Sequence, residues 1–132
     1  MKFTKATVPS SIPFGVYRIN HDYLSSLKKN DDNIVDPTEN DRYCGPVFSA
    51  DCERGPVAFF APISPDYETR TSFLLYFKDG VYADLIDFNK MIPCVDKRFL
   101  TQDAANKELI KFCDNTKNDL LHYADIVMQN VL

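Results

Sequence analysis

Tryptophan is absent from the 132 residues, histidine occurs twice, and none of the four cysteines forms a C-x-x-C pair. Two histidines, His21 and His122, with no carboxylate cluster at ligand spacing, do not make a zinc or other transition-metal centre. Four scattered cysteines (Cys44, Cys52, Cys94 and Cys113) are not a disulfide framework and read as reduced thiols of a cytosolic protein. No apolar run approaches the ~18 residues that span a bilayer. The longest runs, over 57–61 and 73–77, have the length of strands. The opening Met1-Lys2-Phe3-Thr4-Lys5 carries charge without a following apolar stretch, so a secretory signal is not expected.

What is present suffices for one compact domain over 1–132, with a radius of gyration of roughly 14 Å. Apolar residues make up 45% of the chain, with ten Phe and seven Tyr, so the composition is that of a folded protein. Fifteen Lys and Arg stand against nineteen Asp and Glu. The excess is local: residues 30–41 hold Asp31, Asp32, Asp36, Glu39 and Asp41 and no base. Without that stretch the chain carries fifteen bases and fourteen acids, near neutrality. Composition alone therefore does not select nucleic acid as a partner.

Residues 1–14, with Pro9 and Pro13, are expected to form an extended arm. Gly15-Val16-Tyr17-Arg18-Ile19 reads as a strand. Asn20 is placed to cap a short helix to about Lys29, with Tyr23, Leu24 and Leu27 on one face. The acidic stretch to Asp41 reads as a loop. Strands over 43–49 and 56–63 flank a turn at Asp51-Cys52-Glu53-Arg54-Gly55, and strands over 72–78 and 81–88 flank Asp79-Gly80. A short strand is expected over 91–95. From Gln102 the apolar period lengthens to three or four (Leu109, Phe112, Cys113, Thr116, Leu120, Tyr123, Val127), which predicts a long C-terminal helix kinked near Asp114-Asn115. The fold class is α+β: a strongly twisted, mostly antiparallel sheet carrying a short N-terminal and a long C-terminal helix.

Three chemistries compete for the site. A His21–His122 acid–base pair needs two elements brought together that nothing in the sequence joins. A cysteine nucleophile needs an activating base, whereas Cys44, Cys94 and Cys113 fall on apolar faces. Ser64-Pro65-Asp66-Tyr67-Glu68-Thr69-Arg70-Thr71-Ser72 is different, with five side-chain hydroxyls (Ser64, Tyr67, Thr69, Thr71 and Ser72) around one guanidinium, Arg70. A phosphodiester needs donors for its oxygens and a fixed cation for charge growing at phosphorus, and this segment offers both. A solvated turn is the competing reading of the same residues.

Three segments then resemble one family. Tyr17-Arg18-Ile19-Asn20-His21-Asp22-Tyr23-Leu24-Ser25-Ser26-Leu27-Lys28-Lys29-Asn30-Asp31-Asp32 is similar to the opening Y-x-I-x-x-x-Y-[IL]-x-x-L-K-x-x-D-D of the ToxN/AbiQ-like endoribonuclease toxins of type III toxin–antitoxin systems. Tyr43-Cys44-Gly45 followed by Phe60-Ala61-Pro62-Ile63-Ser64-Pro65 resembles their Y-V-G…F-A-P-L-[ST]-S-P. Asp87-Phe88-Asn89-Lys90-Met91-Ile92-Pro93 resembles I-N-F-N-x-M-I-P. With the final helix, the resemblance covers about 17–131, leaving 1–14 as an addition to a toxin domain over 15–132.

The resemblance implies RNA cleavage without metal or other cofactor, by attack of the 2′-hydroxyl and with a cyclic phosphate as product. It further implies inhibition by a small, repeat-derived antitoxin RNA, usually a pseudoknot, within a multimeric protein–RNA assembly. Cellular or phage RNA would be the substrate, in the cytoplasm and away from membranes, in phage defence or stress. Ser64 matches the family's hydroxyl, and Tyr23 and Arg42 fall where it places groove residues. Lys28 and Lys90, inside the matched segments, join them as RNA contacts. The family carries Lys after Ser-Pro where this chain has Asp66. Arg70 is therefore assigned the transition-state charge, with Ser64, Tyr67 and Thr69 as phosphate or proton-transfer partners. The same departure leaves a second expectation, a non-catalytic RNA- or protein-binding module on the same fold.

Overall fold

The computed structural model describes residues 4–5, 12–29, 42–52, 55–65, 74–79, 82–105 and 107–129. The acidic stretch 30–41, the Asp79-Gly80 turn at Gly80, and Tyr67, Thr69 and Arg70 lie outside the described residues. The strands are β1 (Thr4–Lys5), β2 (Gly15–Ile19), β3 (Tyr43–Cys52), β4 (Gly55–Pro65), β5 (Leu74–Asp79), β6 (Tyr82–Asp87), β7 (Ile92–Cys94) and β8 (Leu100–Gln102). The helices are α1 (His21–Lys28), α2 (Lys107–Asn115) and α3 (Lys117–Gln129), with 3₁₀ turns at Phe88–Lys90 and Lys97–Phe99. Every described strand pair is antiparallel, in the order β5-β6-β4-β3-β2-β8, with β1 beside β3 and β7 beside β4. The fold is α+β, as the order of sequence patterns predicts.

β4 organises the sheet. One edge pairs with β3 along most of its length, while the other changes partner, taking β7 at Ala58–Phe60 and β6 at Ile63–Pro65. Its side chains alternate between two cores: Val57, Phe59, Ala61 and Ile63 face one, Ala58 and Phe60 the other. Burial on both faces is why 57–63 is almost continuously apolar rather than alternating. The first core is closed by Leu109, Cys113, Leu120, Ala124 and Met128 of α2 and α3. The second is closed by Leu24 of α1, with Ile92, Cys94, Tyr17 and Tyr43. Each fully buried Leu, Ile or Phe here contributes roughly 1.5–3 kcal/mol.

α1 begins where the sequence sets it. The Asn20 side-chain oxygen accepts from the Tyr23 amide at 3.0 Å, and Asp22 and Lys28 sit at the dipole ends that favour them. Gly45 has a different reason to be glycine. A Cβ there would lie 2.7 Å from the buried Phe60 ring, 3.0 Å from the Phe59 carbonyl and 3.1 Å from the Val47 nitrogen. It stands where the β3–β4 register slips between Cys44 and Phe48. Gly55 serves conformation instead, with φ of 116° at the start of β4.

The C-terminal region departs from the single helix expected from Gln102. Residues Leu100–Gln102 are strand β8, paired with β2. Asp103 ends it: its amide donates to the Val16 carbonyl at 2.9 Å, its carboxylate accepts from the Ala105 amide at 3.0 Å and meets Arg18 at 3.4 Å. The helix then starts at Lys107 and divides at Thr116 into α2 and α3. Asp114, Asn115 and Thr116 are poor helix formers in succession, and the Thr116 hydroxyl donates to the Phe112 carbonyl at 2.7 Å, a back-bond that bends helices. Within the N-terminal arm, β1 pairs Thr4 and Lys5 with Asp51 and Ala50. Phe14 packs on the first core under the Lys117 ammonium, 5.3 Å from the ring centre.

Candidate nucleic-acid interface

The β3–β4 and β4–β6 registers together place Ser64. Tyr43 pairs with Pro62, and the Ile63 amide donates to the Arg42 carbonyl at 3.0 Å. Ser64 itself pairs with Leu85, and Pro65 with Asp84. The Ser64 backbone is thus held between β6 and the entry of β3, and Arg42, 22 positions earlier in the chain, is brought beside it.

Lys90 joins this end of β4. β6 ends and β7 begins along the same β4 edge, so the intervening Phe88–Lys90 turn stands beside positions 61–62. That is two to three residues from Ser64, roughly 7–10 Å along the strand. Phe88 is buried beneath the turn and Lys90 is exposed.

Tyr23 occupies a separate position. Its hydroxyl donates to the Pro93 carbonyl, and its ring stacks on Phe99 with centroids 4.4 Å apart. Pro93 pairs with Phe59, five residues from Ser64, or roughly 17 Å along β4. Burial, and then the charge that Cys94 would carry as thiolate, pushes the Tyr23 phenol up to about 12. At neutral pH it is an uncharged donor whose proton is already engaged, and it clamps α1 to β7. Lys28, half-buried in the last turn of α1, follows on the same helix. The strand registers thus place the backbones of Arg42 and Lys90 near the Ser64 end of β4, on its two opposite edges, and set Tyr23 and Lys28 farther along the strand.

Among the described residues, Cys44, Cys94 and Cys113 are buried and not activated as nucleophiles. Cys44 and Cys113 are fully buried, and a side-chain hydrogen bond with Cys113, followed by burial, holds the Cys44 thiol well above its usual range. Burial also raises Cys94. His21 and His122 stand on α1 and α3, which cover opposite faces of the sheet, so they form no acid–base pair. Among the described residues no three His, Cys, Asp or Glu side chains cluster as metal ligands, and no helix is long and apolar enough to cross a membrane.

The two faces differ in charge. On the α1 side, residues 21–29 and 92–99 hold four bases, Lys28, Lys29, Lys97 and Arg98, against Asp22 and Asp96. On the other, residues 107–129 hold three bases against four acids. Among these described residues the α1 side therefore carries an excess of two bases, and the α2–α3 side an excess of one acid. The sequence reading passes over Lys97-Arg98, whose signal is a basic dipeptide in a polar turn and acquires meaning only from its position beside α1.

No protein-family model matches the sequence, and no curated protein matches it significantly. Solved structures do match. One, from a bacterial antiviral system regulated by a processed non-coding RNA, superposes with a TM-score of 0.67 at 20% identity, over 89% of this chain and 85% of that one. Another comes from a bacterial type III toxin–antitoxin system whose toxin is selectively inhibited by a non-coding RNA pseudoknot. It superposes with a TM-score of 0.66 at 14% identity, over 88% of this chain and 78% of that one. The chain therefore has the fold found in the proteins of these RNA-regulated bacterial systems.

Proposed function

We propose that this chain is the toxin of a type III toxin–antitoxin system, an endoribonuclease that cuts RNA without metal and is held inactive by a structured antitoxin RNA. The observation that carries the reading is the shared fold, over nearly nine-tenths of the chain, with proteins of two RNA-regulated systems. The excess of bases on the α1 side and the placement of Arg42 and Lys90 near the Ser64 end of β4 support it.

In this reading the 2′-oxygen of the substrate attacks the adjacent phosphorus and the 5′-oxygen leaves, giving a 2′,3′-cyclic phosphate. Negative charge grows on the non-bridging oxygens, and Arg70 supplies the cation that meets it. Ser64, Tyr67 and Thr69 donate to those oxygens or carry the protons, and Arg42 and Lys90 hold neighbouring phosphates. Tyr23 and Lys28 border the path of the RNA along α1. Phage defence in the cytoplasm and a multimeric complex with the antitoxin RNA complete the proposal. Asp66, in place of a lysine, favours the second reading, an RNA- or protein-binding module that does not cut.

Expression in a bacterial host separates the two. Wild-type protein made without antitoxin RNA is expected to arrest growth, and Arg70→Ala to remove the effect, since loss of such a cation costs a hundredfold or more in rate. Arrest by folded Arg70→Ala protein equal to wild type would remove Arg70 from the mechanism. Harmless wild type would favour the binding module.

A further inference from the structure

The turn that follows β7 is built to present a charge. The Asp96 carboxylate accepts from the Arg98 amide at 2.9 Å with one oxygen and from the Arg98 Nε at 2.8 Å with the other. The Cys94 thiol donates to the Asp96 carbonyl at 3.2 Å, and Phe99 is pinned by the Tyr23 ring and by the Asn20 amide, which donates to its carbonyl at 2.8 Å. Arg98 is nevertheless 80% exposed, and among the described residues Asp96 is its partner through Nε. Its terminal guanidinium nitrogens extend beyond the pair, in the planar fork that suits a phosphate. Lys97 is exposed beside it, and Val95, 53% exposed, is the large apolar side chain most open to solvent among the described residues. A cation fork held in place, a second cation and an apolar contact match a polynucleotide, which offers phosphates and the apolar faces of its sugars and bases together.

The position adds a consequence. Cys94 pairs with Ala58, so Val95 stands beside position 57, seven residues from Ser64. The separation is roughly 23 Å along β4 at 3.3 Å per residue.

We infer that Val95, Lys97 and Arg98 form a second RNA-binding platform, remote from Ser64, that holds long or structured RNA without taking part in cleavage. The identity of the polyanion rests on the RNA-cleaving reading above. The platform adds affinity for an RNA large enough to reach it, and so favours a structured inhibitor over a short substrate.

The test uses the full chain and a fluorescent random-sequence 30-nucleotide RNA pool, with anisotropy for binding and gel analysis for cleavage. Lys97→Gln/Arg98→Gln is expected to weaken binding about tenfold at 0.1 M salt and to reduce the salt slope by about 1.4, the value for two phosphate contacts on a single strand. Lys97→Arg, which keeps both cations and the Arg98 fork, is expected to retain both. For cleavage, KM is expected to rise and kcat to stay unchanged. Unaltered circular dichroism keeps the comparison valid, because the Asp96 carboxylate still accepts the backbone amide of residue 98. Wild-type affinity and slope in the Gln variant would overturn the platform. So would a fall in kcat alone. Wild type that binds the pool but never cuts it would instead overturn the nuclease reading while leaving the platform tested by binding.

Discussion

Tyr23 shows how one residue in a matched motif can differ in role from its neighbours. Its ring lies against Phe99 and its hydroxyl is engaged by Pro93, so the structure ties it to the join between α1 and β7. The phenol titrates near 10 when unfolded and is pushed up to about 12 when folded. A group raised on folding contributes stability that is complete below the unfolded value and is lost as pH climbs through the folded one. Stability is therefore expected to fall between about pH 10 and 12, and less steeply in Tyr23→Phe, as denaturant midpoints across that range will show. Near neutrality the same variant is expected to lose ~1 kcal/mol, the usual worth of one hydrogen bond, and to keep the wild-type pH–rate profile between pH 6 and 9. A changed profile would return the hydroxyl to proton transfer.

Elements were legible where a local signal decides them. Asn20 caps α1 with its own side chain, and the apolar run over 57–63 lies in β4. The turn expected over Asp51–Gly55 is shorter, since Asp51 and Cys52 belong to β3 and Gly55 to β4. β8 was not legible, because three residues with Thr101 and Gln102 exposed carry no apolar alternation, and their strand pairing depends on β2 more than eighty positions earlier. The division at Thr116 was legible only as a kink, since the apolar period runs through it unbroken. Gly45 was visible as part of a motif, but its physical reason, contact with the Phe60 ring, is tertiary. Gly45→Ala is expected to cost about 1–3 kcal/mol, because Phe60 is fully buried and two of the crowding atoms are backbone. Urea denaturation checks this. A loss below ~0.5 kcal/mol would mean that β3 shifts to make room.

For the whole molecule, the composition concealed its most useful property. An acidic total with a local acidic stretch spoke against a polyanion, yet among the described residues Lys28, Lys29, Lys97 and Arg98 gather on the α1 side, and only the fold shows that they share it. Likewise, the motif singles out Ser64, while the placement of Arg42 and the Phe88–Lys90 turn near the same end of β4 follows from strand registers that no local pattern encodes. The central claim concerns chemistry, and the chemistry leaves a mark on the product. Purified protein incubated with a mixed-sequence RNA in excess chelator, followed by mass spectrometry of the fragment ends, reads that mark directly. The account predicts fragments ending in 2′,3′-cyclic phosphate, formed at least a hundredfold more slowly by Arg70→Ala. Intact RNA, or fragments with plain 3′-hydroxyl ends that appear only when a divalent metal is restored, would contradict it.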